Sequence, residues 1–152
     1  MRLSIGELAL AVNGRLSLGS LPPLAGPYEP VRRIVVESQH ARPGDVYWAI
    51  TVPGLEHAYL ADEAYTRGVF GVVAGGRRIE PWAGRFSIQV ADANQALIQL
   101  ATHQNTGQVR RRLRNFESAD STELVQAMLA GFPVSLEDIL GRVARNAAMH
   151  VA

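Results

Sequence analysis

Apolar positions in this chain change their period several times, and each change marks an element. Behind Ser4-Ile5-Gly6-Glu7, the residues Leu8, Ala11 and Val12 share one helical face. Ser4 and Glu7 stand at capping-box spacing, so each side chain can satisfy a free backbone N–H at a helix start, with Leu3 and Leu8 placed as the flanking staple. Asn13-Gly14 closes this first helix, because glycine takes the left-handed conformation without steric cost. From Ser17 to Pro30 the pattern dissolves into Pro22, Pro23, Pro27 and Pro30 with Gly19 and Gly26, which suits neither a helix nor a central strand. A surface connection is expected there.

β-Branched residues take over from Val31. Ile34-Val35-Val36 running into Glu37-Ser38-Gln39 predicts a buried strand that ends in a polar loop. Arg42-Pro43-Gly44-Asp45 predicts a type II turn, and Val46 to Val52 a second strand, broken by Pro53-Gly54. Within His57 to Arg67, Leu60, Ala61 and Ala64 fall at helical spacing and Gly68 terminates them. Val69 to Val73 resumes extended structure. Strand, helix and strand over so few residues make a right-handed parallel crossover the expected topology. Phe86-Ser87-Ile88-Gln89-Val90 alternates as a further strand, after which Asp92 and Gln95 open a helix with Ala96, Leu97, Leu100 and Ala101 on its apolar face.

Further on, Ser121 is placed to cap a helix carrying Leu124, Val125 and Met128 and ending at Gly131. Ser135 and Asp138 open another, with Leu136, Ile139, Leu140, Val143 and Ala147 along one stripe. Such stripes must be buried, against the α/β unit or against a partner chain. The fold class expected is α/β: a small mixed or parallel sheet with flanking helices, followed by a C-terminal helical segment.

Composition narrows the chemistry. The 152 residues accommodate one domain with an appended helical segment but no second full catalytic domain. All fifteen basic residues are arginine. Without lysine, neither a Walker-type phosphate loop nor Schiff-base catalysis operates within this chain. A net charge of +1 describes an ordinary surface. The absence of cysteine excludes disulfides and thiolate chemistry and is compatible with a reducing compartment. His40, His57, His103 and His150 fall in no zinc spacing, no Gly-x-Ser-x-Gly elbow occurs, and neither a secretory leader nor a membrane-length apolar run is apparent. The expectation is a soluble, cytoplasmic protein without a metal site or membrane association. Arg110, Arg111, Arg112 and Arg114 form a basic cluster that could meet RNA, but Glu117, Asp120 and Glu123 follow closely and Phe116 is the lone neighbouring aromatic. A solvated helix extension is the favoured reading, and nucleic acid is not expected as a partner.

The order of these punctuating residues resembles the N-terminal domain of the Mur ligases, the muramoyl-peptide synthetases. That domain begins with a small capped helix ending in glycine, as at Gly14. A strand ending Asp-Ser-Arg follows, represented here by Glu37-Ser38-Gln39. Next come a Pro-Gly-Asp turn and an aromatic strand, here Pro43-Gly44-Asp45 and Val46-Tyr47-Trp48-Ala49-Ile50. A glycine, an acid and a histidine then precede a helix, as Gly54, Glu56 and His57 do. Val90, Asp92, Ala96-Leu97 and Leu100-Ala101 match the last signature, a strand, an acid and an Ala-Leu helix.

The resemblance implies that residues 1–104 form a domain holding the UDP part of a UDP-N-acetylmuramoyl(-peptide) precursor of peptidoglycan, with 105–152 as a helical extension. It carries the substrate contacts to Ser38, Gln39, Gly54, His57 and Asp92. From the residues themselves each has a plainer reading: Ser38 satisfying its own loop, His57 starting a helix, Asp92 capping one. The family's ATP and magnesium sit in a separate domain. Its Gly-Lys-Thr loop should follow Ala101, where this chain instead runs His103-Gln104-Asn105-Thr106-Gly107, so no cofactor site and no catalytic residue is expected and the chain should not ligate alone. The family's arginine is replaced by Gln39, a neutral amide in place of a charge that could face phosphate. The alternatives are a protein-interaction module using the C-terminal helices and, through the arginine cluster, an RNA-binding protein.

Overall fold

The computed structural model describes residues 3–19, 27–52, 60–104 and 116–150. Helix α1 (Ile5–Ala11) is followed by strands β1 (Arg15–Leu18), β2 (Ile34–Val35) and β3 (Val46–Ala49), with a 3-10 turn, Ser38–His40, after β2. Helix α2 (Ala61–Thr66), strands β4 (Gly71–Gly75) and β5 (Phe86–Val90), and helices α3 (Ala93–Gln104), α4 (Ser121–Leu129) and α5 (Leu136–His150) complete the order. The five strands form one sheet in the order β1-β5-β4-β3-β2. β2 through β5 run parallel and β1 joins β5 antiparallel, so the sheet is mixed.

Period-two alternation sorts the side chains into two layers. Ile34, Val36, Val46, Trp48, Ile50, Val73, Phe86, Ile88 and Val90 face a core shared with α1, α3, α4 and α5. Val35, Tyr47, Ala49, Val72 and Ala74 face α2 through Ala61, Ala64 and Tyr65. The C-terminal helices therefore bury their stripes against the α/β unit. Leu124, Val125, Ile139 and Val143 are all at most 1 % exposed. Helix α4 also lies along edge strand β2, where the Gln126 amide donates to the Ile34 carbonyl at 2.5 Å and blunts the open sheet edge.

The local punctuation acts as its residue types require. Ser4 and Glu7 form the reciprocal capping box of α1. Asp45 accepts from the Arg42 N–H at 2.9 Å and closes the turn around Gly44, whose φ of +89° only glycine adopts cheaply. Asp92 caps α3 by accepting from the N–H groups of Asn94 and Gln95, and Ser135 and Asp138 exchange the two bonds of a box at α5. Some expectations need correction. Arg15–Leu18 is a strand, an edge position that a short alternating run fills before the prolines begin. The cap of α4 is Asp120, paired with Glu123, and Ser121 is the first helical residue with its hydroxyl turned inward. The second strand and the crossover strand are also displaced from their expected bounds, to Val46–Ala49 and Gly71–Gly75.

Gly71 makes room in β4 for the Phe86 ring, since a Cβ there would meet ring atoms at 2.2–2.4 Å. Gly71→Ala is expected to cost about 1–3 kcal/mol through overpacking, read as a lower urea midpoint. A change within error would show that Phe86 can move aside. Beneath the other face, Tyr65 donates to the Phe86 carbonyl at 2.5 Å, and burial pushes its phenol well above the ordinary tyrosine range, with Arg85 opposing. Among the described residues, no helix is long and apolar enough to cross a membrane.

Candidate functional site

Open α/β sheets present ligands at the carboxyl ends of their parallel strands; two constellations stand out here, one flanking edge strand β2 and one at the carboxyl end of β3. The first is built around Glu37, immediately past β2. Its carboxylate is 2 % exposed and accepts from the Gln39 amide at 3.1 Å, from the Ser121 hydroxyl on α4 at 2.5 Å and from the Asn146 amide on α5 at 3.1 and 3.4 Å. The His40 imidazole lies 3.5 Å from the same carboxylate, and its Nδ1 is 3.1 Å from the Thr122 hydroxyl. Beside it, Arg33 grips Asp45 with both Nε and Nη2, the latter at 2.6 Å, and donates to the His40 carbonyl at 3.0 Å. This fork fixes the turn to the start of β3. Over these groups opens a cleft of about 480 Å³ lined by Arg33, Gln39, His40 and Arg42 on one wall and by Asp120, Thr122 and Glu123 of α4 on the other.

The second constellation joins β3 to α3. The backbone N–H of Thr51 donates to Asn94 Oδ1 at 2.7 Å, and Asn94 Nδ2 donates back to the Thr51 carbonyl at 2.9 Å. Deeper in the core, Trp48 Nε1 donates to the Ala93 carbonyl at 2.8 Å. The first turn of α3 is thereby pinned to the carboxyl end of β3, and Asp92 with it.

Known structures share this arrangement of elements. The ligase named UDP-N-acetylmuramoylalanyl-D-glutamyl-2,6-diaminopimelate–D-alanyl-D-alanyl ligase, from Acinetobacter baumannii, matches with a TM-score of 0.56 at 20 % identity, over 70 % of this chain and 22 % of that one. A crystal structure of MurF from the same organism matches with a TM-score of 0.57 at 22 % identity, over 70 % and 21 % respectively. The fold is Mur ligase-like. The chain spans about a fifth of the length of these ligases. No protein-family model matches it, and no curated protein matches it in sequence.

Within this Mur ligase-like frame, the residues singled out from the sequence do not converge on one spot. Ser38 and Gln39 lie together in the turn after β2. The Ser38 hydroxyl, buried, donates to Glu63 of α2 at 3.3 Å, while Gln39 is exposed on the cleft wall and bonded to Glu37. Asp92 stands at the end of β5, separated from β2 by β4 and β3, with its carboxylate engaged as a helix cap. Gly54 and His57 lie outside the described residues, as do Arg110, Arg111, Arg112 and Arg114. Among the described residues no three acidic or histidine side chains gather as a metal site. Sequence reasoning passed over Glu37 as a site residue, and with it His40, Ser121 and Asn146. An acid directly after an apolar strand was the available signal for Glu37. Nothing local announces Asn146, which meets it across 109 positions of chain.

Proposed function

We propose that this chain is a Mur ligase-like domain that holds the UDP part of a UDP-N-acetylmuramoyl(-peptide) precursor of peptidoglycan at the carboxyl edge of its parallel strands, with residues 1–104 carrying the contacts and 105–152 as the extension. The observation that carries this reading is the match of the fold to MurF over 70 % of the chain. The Thr51–Asn94 clasp lies at the carboxyl end of β3, where such a ligand would sit, while the cleft beside Gln39 opens along edge strand β2 and reaches Arg33 and Arg42 at the amino side of β2 and β3. In this reading Ser38, Gln39, Gly54, His57 and Asp92 remain the contact set, and Ser38 must exchange Glu63 for the ligand. The ATP and magnesium of the family do not fit the residues present. Residues 1–152 hold no lysine and no Gly-Lys-Thr loop, so ligation requires an ATP-binding domain beyond these residues, which act in the cytoplasm as a substrate holder.

A second reading has its own support. The side chains of Glu37, Ser38 and Gln39 each have a partner inside the chain, as a non-catalytic protein-interaction module that lost its ligand would show. Calorimetry with UDP-N-acetylmuramoyl-tripeptide separates the two. The first reading predicts measurable heat at millimolar ligand and amide shifts centred on Ser38, Gln39, Gly54, His57 and Asp92, with Thr51 and Asn94 beside them. Gln39→Arg should then tighten binding by about tenfold or more, the value of one charge-assisted bond to phosphate. Silence at millimolar ligand in both variants abandons the nucleotide reading for the module.

A further inference from the structure

Glu37 stands outside the proposed contact set, yet its buried carboxylate is heavily bonded beside the cleft. Its donors come from three separate parts of the chain: Gln39 on its own turn, Ser121 on α4 and Asn146 on α5. A buried carboxylate is tolerated only while hydrogen-bonded, and Ser121, at 0 % exposure, loses its acceptor if Glu37 leaves. Without α4 and α5 the carboxylate keeps only Gln39 and His40 of its own turn, and without Glu37 the Ser121 hydroxyl keeps only the His40 ring nitrogen at 3.5 Å. The same short segment shapes the cleft: the N–H groups of His40 and Ala41 bond back to the Glu37 and Ser38 carbonyls, and Asp120, Thr122 and Glu123 of α4 form the facing wall.

We propose that Glu37 is a latch, a positioning residue that keeps the Ser38–His40 turn in shape only while α4 and α5 are docked, so that the cleft wall and the C-terminal helices change state together. Reach is what the glutamate supplies. An aspartate, one methylene shorter by about 1.5 Å, would leave the Ser121 hydroxyl out of bonding range. A glutamine keeps the reach and one acceptor oxygen for Ser121 and Asn146, and Gln39, which faces the other position, can turn its own amide to accept from the new N–H group.

Hydrogen exchange on the intact chain tests this without any ligand. In Glu37→Asp and in Asn146→Ala, amides of residues 38–42 and of α4 and α5 should exchange about tenfold faster or more, in step with one another, while α2 and β4 on the far layer keep their protection. Glu37→Gln should stay within about threefold of the parent at the same amides. Faster exchange in α5 with residues 38–42 unchanged would overturn the latch, because the helices would then be docked passively. Equal acceleration in every element would overturn it as well, since Glu37 would then serve only global stability. So would an aspartate variant that behaves like the parent. One further arm rests on the nucleotide reading. Millimolar UDP-N-acetylmuramoyl-tripeptide should protect residues 38–42 and, through the latch, α5. Protection at 38–42 alone sinks the latch and leaves the nucleotide reading standing, whereas no protection anywhere sinks that reading and leaves the ligand-free result to decide the latch.

Discussion

Trp48→Ala is expected to destabilise the protein by about 3–5 kcal/mol, the loss typical of deleting a fully buried aromatic side chain. Trp48 is 0 % exposed on β3, between β4 and edge strand β2, and faces the larger of the two cores. Its removal also strips the Ala93 carbonyl of its partner, a buried acceptor whose orphaning costs about 1–3 kcal/mol when no water replaces the donor. Against a net stability of about 5–15 kcal/mol for a domain, this leaves a small margin. Urea unfolding followed by far-ultraviolet circular dichroism should show the midpoint falling by about 2 M. The functional consequence follows the same bond. Trp48 ties β3 to the first turn of α3, so its loss should also loosen the Thr51–Asn94 clasp and the position of Asp92. Trp48→Phe, which fills most of the space but donates no hydrogen bond, should fall between. A midpoint unchanged in the alanine variant would mean that the core is not organised around this ring.

Much of this architecture was legible because the elements are short and sharply punctuated. The capping pairs Ser4 with Glu7 and Ser135 with Asp138, the turn glycine Gly44 and the strand Phe86–Val90 all stand where their residue types demand. Strand β1 was not legible. A four-residue run, Arg15-Leu16-Ser17-Leu18, carries little periodic signal, and it is a strand because β5 offers it an edge, a fact of tertiary pairing. Ser121 illustrates the same limit in a helix start. Serine is a good cap by propensity, yet Asp120 wins the position because the serine hydroxyl has a buried carboxylate to satisfy.

The site was legible only in part, for a related reason. Ser38 and Gln39 could be placed on a strand-end loop from local pattern alone, because a polar triplet following Ile34-Val35-Val36 has nowhere else to go. What their side chains do is set by groups remote in sequence: Glu63 for Ser38, and Ser121 with Asn146 for the neighbouring Glu37. Hydrogen bonds spanning 84 and 109 positions leave no trace in periodicity. The apolar stripes of α4 and α5 announced that they must be covered, but period alone does not say by what.

A chain ending at Gln104 is expected to lose cooperative folding, the largest effect foreseen here. Leu124, Val125, Ile139 and Val143 sit in one continuous core with Trp48, Leu97 and Leu100, and each such side chain is worth about 1.5–3 kcal/mol of burial. Taken together they rival the whole net stability of a domain, about 5–15 kcal/mol. Truncation would also uncover one face of β2 and deprive Ile34 and Glu37 of Gln126, Ser121 and Asn146. The shortened chain should therefore bind a hydrophobic dye, keep secondary structure and unfold without a sharp thermal transition. A cooperative transition within about 1 kcal/mol of the full chain's stability would instead show that residues 1–104 fold alone and that the helices are an accessory. The expected outcome has a direct bearing on function: if the helices are part of the core, whatever binds the strand-end loop meets a cleft whose second wall is α4, and the ligand that fits it must accept Asp120, Thr122 and Glu123 as neighbours.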